Sequence, residues 1–217
     1  TTRRGRPQVA LALNPAAATI ATLSVSFHHL SACLIDYAGN MISKTSTSVD
    51  TQSLPADAFA RHLEELLRSL IKSSSQTAGH LRNIVVAVQG VSDAEGTRLK
   101  WSPITPHRHI EIGTALEHAF GVPVTVANDA NMIAAALRRH EPQRYGDSFA
   151  AILLSHGIGM GMFINGELFT GILSSAAEFG HMSHDSGGAL CRCGRHGCIE
   201  AYAGDYAIWR HANDHDP

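Results

Sequence analysis

The sequence predicts a mixed α/β fold in which sheets and helices form alternating layers. Segments rich in β-branched and apolar residues alternate along the chain with segments whose apolar residues recur at helical spacing. One predicted strand, 84–88, is apolar throughout, which is typical of a strand covered on both faces. A second set of strands begins near Ser148, after the helices of the first part, so the chain repeats one structural theme.

The first part begins with a predicted meander of antiparallel strands and continues into a helix. The strands are expected at 9–13, 19–26, 29–36 and 41–43. Ser53 is the expected N-cap of the helix, whose apolar face runs from Phe59 to Ile71. After the strand at 84–88, the pattern predicts a helix over 115–120, a strand over 122–126 and a helix over 132–139.

The second part begins with a predicted strand over 148–154, a glycine-rich turn and a strand over 162–164. Gly157, Gly159 and Gly161 occupy every second position around that turn. Backbone N–H groups in such a stretch could bind a phosphate. Plain hairpin chemistry is the alternative explanation for these glycines.

Composition and charge point to a cytoplasmic globular protein. Of the 217 residues, 44% are hydrophobic and 17% are charged, and the net charge of −2 gives no global attraction to nucleic acid or anionic lipid. The sequence has no apolar run of about 18 residues and no signal-peptide pattern, so no membrane partner is expected. The basic start is predicted to be a linker, with an AT-hook at Arg4-Gly5-Arg6-Pro7 as the alternative.

A cysteine-rich stretch is a candidate metal site. Cys191, Cys193 and Cys198 fall within eight residues, and His181 precedes the first of them by ten. Three thiolates and one imidazole favour a structural zinc site with no position left for water. His184 is a second candidate for the imidazole ligand. A disulfide or free thiols are the alternatives, and a disulfide is less suited to a cytoplasmic chain.

Three carboxylates are candidates for ligand binding. Asp129 stands where a strand ends and a helix begins, an edge at which α/β sheets bind ligands. There it could accept a proton or a hydrogen bond from a sugar hydroxyl, and a helix cap is the alternative. Glu178 and His181 face one way on a helical turn, and Glu200 closely follows Cys198. Two carboxylates and an imidazole suit a polyhydroxylated ligand, and the imidazole could bind zinc through one nitrogen and the ligand through the other.

In these motifs the chain resembles the ROK family, whose name joins repressors, open reading frames and sugar kinases. The family signature is Glu-x-Gly-His, a spacer, and then Cys-x-Cys-Gly-x-x-Gly-Cys-x-Glu. The chain matches it at 178–181 and 191–200, and its Asn-Asp-Ala-Asn motif at 128–131 also fits. The strand from Ser148 towards the three glycines fits as well. The resemblance extends from about Val9 to the end of the chain.

The resemblance implies an actin-like (ribonuclease H-like) fold of two lobes with a cleft between them. The lobes would be 9–147 and 148–217, the second of them incomplete, with the zinc motif at 181–198. The structural zinc would be held by His181, Cys191, Cys193 and Cys198. The sugar would be bound by Gly90, Asn128, Asp129, Glu178, His181 and Glu200. If this chain were a kinase member, Asp129 would be its catalytic base.

Departures from the kinase members favour a regulator. Kinase members open with Asp-x-Gly-Gly-Thr, where this chain has Ser24-Val25-Ser26-Phe27-His28 without a carboxylate or a glycine. A nucleotide–Mg²⁺ site without that carboxylate lacks a hard oxygen ligand. The second phosphate motif, Gly-Thr-Gly, is Ser155-His156-Gly157 here, and the family's Pro-Gly loop is Gln89-Gly90. The ATP-binding motifs of the kinase members are therefore not kept here, whereas the sugar-binding residues and the zinc motif are.

Repressor members of the family carry an N-terminal winged helix-turn-helix, a Gly-Arg-Pro linker and a Leu-Asn-Pro stretch. The chain has Gly5-Arg6-Pro7 and Leu13-Asn14-Pro15 in that order. We therefore predict a sugar-sensing effector domain of a transcriptional regulator, a homodimer or homotetramer, with 1–8 as the linker to a DNA-binding domain outside this sequence. One alternative is a sugar kinase that uses ATP, Mg²⁺ and Asp129. Another is that zinc and cleft are scaffold and the domain serves assembly.

Overall fold

A computed structural model of the protein describes residues 10–74, 79–171, 174 and 178–214. The helices are α1 (Ala56–Ser73), α2 (Ile112–Phe120), α3 (Asp129–His140), α4 (Glu200–Ala203) and α5 (Asp205–Asp214). The strands are β1 (Thr19–Ser26), β2 (His29–Asp36), β3 (Met41–Ser48), β4 (Leu81–Val88), β5 (Val91–Ser92), β6 (Leu99–Trp101), β7 (Val124–Asn128), β8 (Phe149–Leu154), β9 (Ile158–Ile164) and β10 (Glu167–Leu168). Among the described helices, none is long and apolar enough to cross a bilayer.

The first part of the chain is built on a five-stranded mixed sheet with the order β3-β2-β1-β4-β7. β1, β2 and β3 pair antiparallel as a meander, whereas β4 and β7 extend the sheet in parallel with β1. The parallel pairs require crossover connections, and α1 and α2 lie in them. The carboxyl ends of β4 and β7 therefore lie side by side, with Val88 paired to Asn128.

The core of this part lies between the five-stranded sheet and α1. Phe59, Leu63 and Leu67 recur at helical spacing on α1, and all three side chains are fully buried. Ile84 and Val86, which share one face of β4, belong to the same buried cluster. Full burial of each such side chain stabilises the fold by about 1.5–3 kcal/mol. This core gives the ends of β4 and β7 a rigid base.

The second part forms a three-stranded antiparallel sheet with the order β10-β9-β8. α3 packs against this sheet and also against β7, so it connects the two parts. The contact with β9 requires glycine, because a Cβ on Gly159 would lie 3.0 Å from Ala130 Cβ and one on Gly161 would lie 2.7 Å from Ala134 Cβ. The two glycines thus let the helix approach the strand closely.

The structure confirms the mixed α/β fold and the antiparallel meander, but three local predictions are wrong. Residues 10–13 form no strand; they are exposed, and no strand of the described chain pairs with them. Ser53 is not the N-cap of α1, because Pro55 holds that position without a side-chain cap. Residues 158–161 are the start of β9 and not a turn, because their glycines serve packing on α3. Val9 and the predicted linker 1–8 lie outside the described residues.

Candidate functional site

The residues predicted to bind the sugar come together in one cleft. The cleft lies at the carboxyl ends of β4 and β7, next to the β8–β9 turn and the cysteine-rich loop. It encloses about 530 Å³ of space, part of which is open to solvent. The predicted residues that line it are Gly90, Asn128, Asp129, Gly157, Gly159, Glu178, His181 and Glu200. Gly161 is not among its lining residues.

Asn128 and Asp129 stand at the junction of β7 and α3 and have different roles. Asn128 is the N-cap of α3, since its Oδ1 accepts a hydrogen bond from Asn131 N at 3.0 Å. Its Nδ2 donates to Gly90 O, also at 3.0 Å. Asp129 Oδ1 accepts from Ala130 N at 2.8 Å, and Oδ2 has no hydrogen-bond partner in the described part of the chain. Asn128 therefore caps α3, and Oδ2 of Asp129 is available to a ligand.

Burial and like charges set the electrostatics of the cleft. Burial raises the pKa of Asp129 above its ordinary value. The pKa of Glu178 is also raised, first by burial and then by the charges of Glu200 and Asp129, while Arg195 acts in the opposite direction. Hydroxyl groups that donate hydrogen bonds to these carboxylates would stabilise their charged forms. The cleft is therefore suited to a ligand with several hydroxyl groups.

His181, Cys191, Cys193 and Cys198 form a cluster that could hold one metal ion. One ligand atom of each lies within 4.8 Å of all the others. Cys191 Sγ lies 3.6 Å from His181 Nδ1, and Cys193 Sγ lies 3.7 Å from Cys198 Sγ. A tetrahedral zinc site with bonds of about 2.0 Å to nitrogen and 2.3 Å to sulfur requires N–S and S–S separations of roughly 3.5 and 3.8 Å. The residues present fit such an ion.

The structure disagrees with two alternatives for this cluster, a disulfide and His184 as the imidazole ligand. All four cysteines are free, and the 3.7 Å between Cys193 and Cys198 Sγ is far longer than the bond of about 2.05 Å in a disulfide. His184, the second imidazole candidate, does not belong to the cluster. Its ring instead packs edge-on against Tyr202, with centroids 5.4 Å apart.

The metal-ligand cluster and the cleft are joined through His181 and Glu200. The Nδ1 atom of His181 faces the cysteines, and its Nε2 lies 3.9 Å from Glu178 Oε2. Glu200 is only 4% exposed, and its Oε2 accepts a hydrogen bond from Ile158 N at 3.0 Å. Its Oε1 lies 3.7 Å from Cys191 Sγ. The positions of the cysteines therefore fix the side chains of His181 and Glu200 at the edge of the cleft.

The three glycines predicted as a phosphate loop have packing reasons to be glycine. A Cβ on Gly157 would lie 2.7 Å from Glu200 Oε2, so glycine leaves room for that carboxylate. Gly159 and Gly161 face α3, as described above. Phosphate binding by these backbone groups stays a prediction.

Gly90 is predicted to be irreplaceable for the fold of the cleft. Its φ of +121° disfavours any side chain, and a Cβ there would collide with Trp101 O and lie 2.8 Å from Ser102 Cα. We expect Gly90→Ala to lower the free energy of unfolding by about 3 kcal/mol, as the sum of backbone strain and overpacking. Gly39→Ala is the matched control, because Gly39 has a φ of +93° with open space around it. Denaturant melts that show equal losses in both variants would contradict the steric argument.

Sequence reasoning missed Trp101 and Arg192 as cleft residues. The Trp101 ring meets the His181 ring edge-on, with centroids 5.7 Å apart. The guanidinium of Arg192 lies between two rings, 5.0 Å from the centroid of Phe27 and 4.0 Å from that of Tyr206. The position of Arg192 inside the Cys-x-Cys pair was the one available signal, and Trp101 had none.

The β1–β2 and β8–β9 turns meet at the cleft through Phe27 and His156. Their rings are stacked, with centroids 6.2 Å apart and an interplanar angle of 26°. Arg192 Nη1 donates to His156 O at 3.4 Å. Two aromatic rings and a guanidinium therefore occupy the space between the two turns.

Comparisons with known proteins find relatives of this chain. A sequence model of the ROK family matches residues 21–216. The xylose repressor of Bacillus subtilis (strain 168) is 26% identical over 204 residues, which cover 94% of this chain and 52% of the repressor. The chain thus spans about half the length of the curated relatives it matches.

Two solved structures share the fold. A ROK family transcriptional regulator, a homologue of the Escherichia coli MLC protein, has a TM-score of 0.83 at 24% identity, over 97% of this chain and 53% of that one. A ROK family glucokinase from Streptomyces griseus, in complex with glucose and AMPPNP, has a TM-score of 0.76 at 25% identity, over 91% of this chain and 61% of that one. The architecture is therefore the actin-like α/β fold of ROK regulators and sugar kinases.

Proposed function

The chain belongs to the ROK family, and from that membership we propose that it is the sugar-binding effector domain of a transcriptional regulator. Its relatives include both repressors and glucokinases, so the choice between them depends on the site. In this proposal, residues 9–147 and 148–217 form the two lobes of each subunit, and the subunits assemble as a homodimer or homotetramer. Residues 1–8 link them to a DNA-binding domain outside this sequence.

The observation that carries the proposal is the stacking of Phe27 on His156. The family resemblance places the phosphate-binding motifs of kinase members at the β1–β2 and β8–β9 turns. Here rings from the two turns lie 6.2 Å apart, and Arg192 lies 5.0 Å from Phe27. Neither 24–28 nor 155–157 contains a carboxylate for Mg²⁺. These features support sugar binding without phosphoryl transfer.

The sugar would be held from both sides of the cleft. Asn128 and Asp129 come from the first part of the chain, and Glu178, His181 and Glu200 come from the second. The amide and carboxylate oxygens accept hydroxyl hydrogen bonds at fixed angles, and a ring nitrogen of His181 adds a further contact, which together orient the sugar. A bound sugar would therefore favour one relative position of the two parts. The resulting bias on DNA binding cannot exceed the difference in the sugar's affinity for the two states.

We further propose that the metal-ligand cluster holds a structural zinc ion. Four protein ligands leave no coordination position for substrate, so the ion would act through the residues it orders. His181 would give Nδ1 to the metal and keep Nε2 for the ligand and Glu178. In this account zinc braces the sugar side of the cleft.

The kinase alternative is tested directly by a coupled assay with ATP, Mg²⁺ and D-glucose, D-mannose or D-xylose. D-xylose is included because one relative is a xylose repressor. We expect no turnover above background, whereas a ROK glucokinase assayed in parallel should be active. Turnover that Asp129→Asn abolishes and Asp57→Asn preserves would overturn the proposal, because Asp57 is an exposed carboxylate on α1.

A further inference from the structure

A second pocket adjoins the cleft on the far side of Trp101. The two share Trp101, Glu178 and His181, so they are adjacent. Asp129, Phe27 and the β8–β9 turn line only the cleft. The basic residues that line the second pocket are Lys100, Arg108, His109 and Arg195. We call this second pocket the basic pocket.

The basic pocket concentrates positive charge in a chain whose net charge is −2. Glu178, at the boundary with the cleft, is the one carboxylate among its described lining residues. Within the described chain neither Lys100 nor Arg108 has an ion-pair partner, and Arg108 is exposed. These two cations are therefore free to meet an anion.

The backbone holds the basic residues in place. Leu99 and Ile110 exchange two hydrogen bonds of 2.9 Å, and His109 N donates to Lys100 O at 3.2 Å. His109 has a φ of +55°, which turns the chain sharply after Arg108. Arg195 belongs to the cysteine-rich loop, and its Nη2 donates to His181 O at 3.2 Å, which restrains the side chain. The basic residues of the pocket therefore come from two separate segments, 100–109 and the cysteine-rich loop.

We propose that the basic pocket binds the phosphate of a sugar phosphate whose ring occupies the cleft. This inference rests on the proposed function. A phosphate monoester carries nearly two negative charges and three acceptor oxygens, which match several cations better than a neutral substituent does. Because the pocket and the cleft share Glu178 and His181 in their linings, a ligand bound beside these two residues would be within reach of both. The phosphate would lie at the end of the sugar near Glu178, away from Asp129.

Calorimetric titration of the zinc-loaded chain tests this inference. The probes are D-glucose, D-mannose and D-xylose, each free and as its 1-phosphate, with D-glucose 6-phosphate and D-glucuronate added. We expect at least one phosphate to bind about tenfold or more tightly than its parent sugar. In the double variant Lys100→Gln/Arg108→Gln that preference should fall to about twofold or less, while the affinity for the parent sugar is unchanged. Higher salt should weaken only the phosphate, because exposed charges are screened.

The control is Arg61→Gln/Lys72→Gln, which removes two exposed charges from α1, and it should keep the preference. A preference that survives in the Lys100/Arg108 variant overturns this inference and leaves the proposed function intact. The same holds if the free sugars bind as tightly as their phosphates, or if only D-glucuronate gains affinity. If no probe binds at all, the proposed function fails together with this inference.

Discussion

Replacement of Cys198 by Ser is expected to lower the melting temperature by on the order of 10 °C and to abolish sugar binding. Cys198 is 1% exposed and lies in the metal-ligand cluster, so its loss removes a ligand and leaves a buried hydroxyl. The expected loss in the free energy of unfolding is about 3–5 kcal/mol. At this chain length each kcal/mol lowers the melting temperature by roughly 2–4 °C. Dialysis of the wild type against a chelator should reproduce both effects, because metal binding contributes to folding.

Sugar binding is lost in this prediction because the cluster orders His181 and Glu200 at the cleft. Without a metal, burial raises the pKa of the Cys191 thiol to about 12, so the metal-free cluster holds a neutral thiol in place of a thiolate. Cys33→Ser is the matched control, since Cys33 is a free cysteine on β2, distant from the cluster in the fold. A Cys198→Ser variant with the melting temperature and the ligand affinity of the wild type would contradict the claim that zinc stabilises the sugar side of the cleft. So would wild-type protein that contains less than about half an equivalent of zinc.

Asp129→Asn and Glu178→Gln are each expected to weaken sugar binding at least about a hundredfold while raising the melting temperature. Each variant removes a charge-assisted acceptor for sugar hydroxyls, worth about 1.5–3 kcal/mol per hydrogen bond. Burial disfavours both carboxylates in the unliganded fold, so their neutral amides should stabilise it by on the order of 1 kcal/mol, or about 2–4 °C. Calorimetry and thermal melts of the same samples measure both effects, with Asp57→Asn as the control.

The same carboxylates predict a pH dependence of stability. Because the pKa values of Asp129 and Glu178 are raised from 3.8 and 4.5, the folded state holds more protons than the unfolded state above those values. Their contribution is most favourable at or below the ordinary values and is lost as the pH rises through the raised ones. The two variants should therefore lose less stability than the wild type over that pH range. A wild-type curve with the same slope as both variants would contradict this assignment.

Much of the fold could be predicted because its signals are local. The meander at β1 and β2 follows from alternating apolar residues, and α1 follows from apolar residues at helical spacing. The start of β9 was mistaken for a turn, because glycine in sequence does not distinguish a flexible loop from a strand that a helix approaches closely. That distinction depends on Ala130 and Ala134 of α3, which are distant in sequence.

The site could be predicted where motif spacing sets the geometry. The spacing of His181 and the three cysteines is enough to predict a metal-ligand cluster. The position of Asp129 at the junction of β7 and α3 is enough to predict that it lies at the edge of the sheet where a ligand binds. Contacts between distant segments could not be predicted in this way. The stacking of Phe27 on His156 and the edge-on contact of Trp101 with His181 exist only after the two parts of the chain have packed together.

Titration of the zinc-loaded chain with sugars tests the central claim most directly, since that claim is that the cleft binds a sugar without phosphorylating it. With D-xylose, D-glucose, D-mannose and their phosphates, we predict one-to-one binding of at least one ligand with a Kd below about 1 mM. ATP and Mg²⁺ should neither bind nor change that affinity. The absence of binding by every ligand, or binding that is tightened by ATP and followed by turnover, would contradict the account.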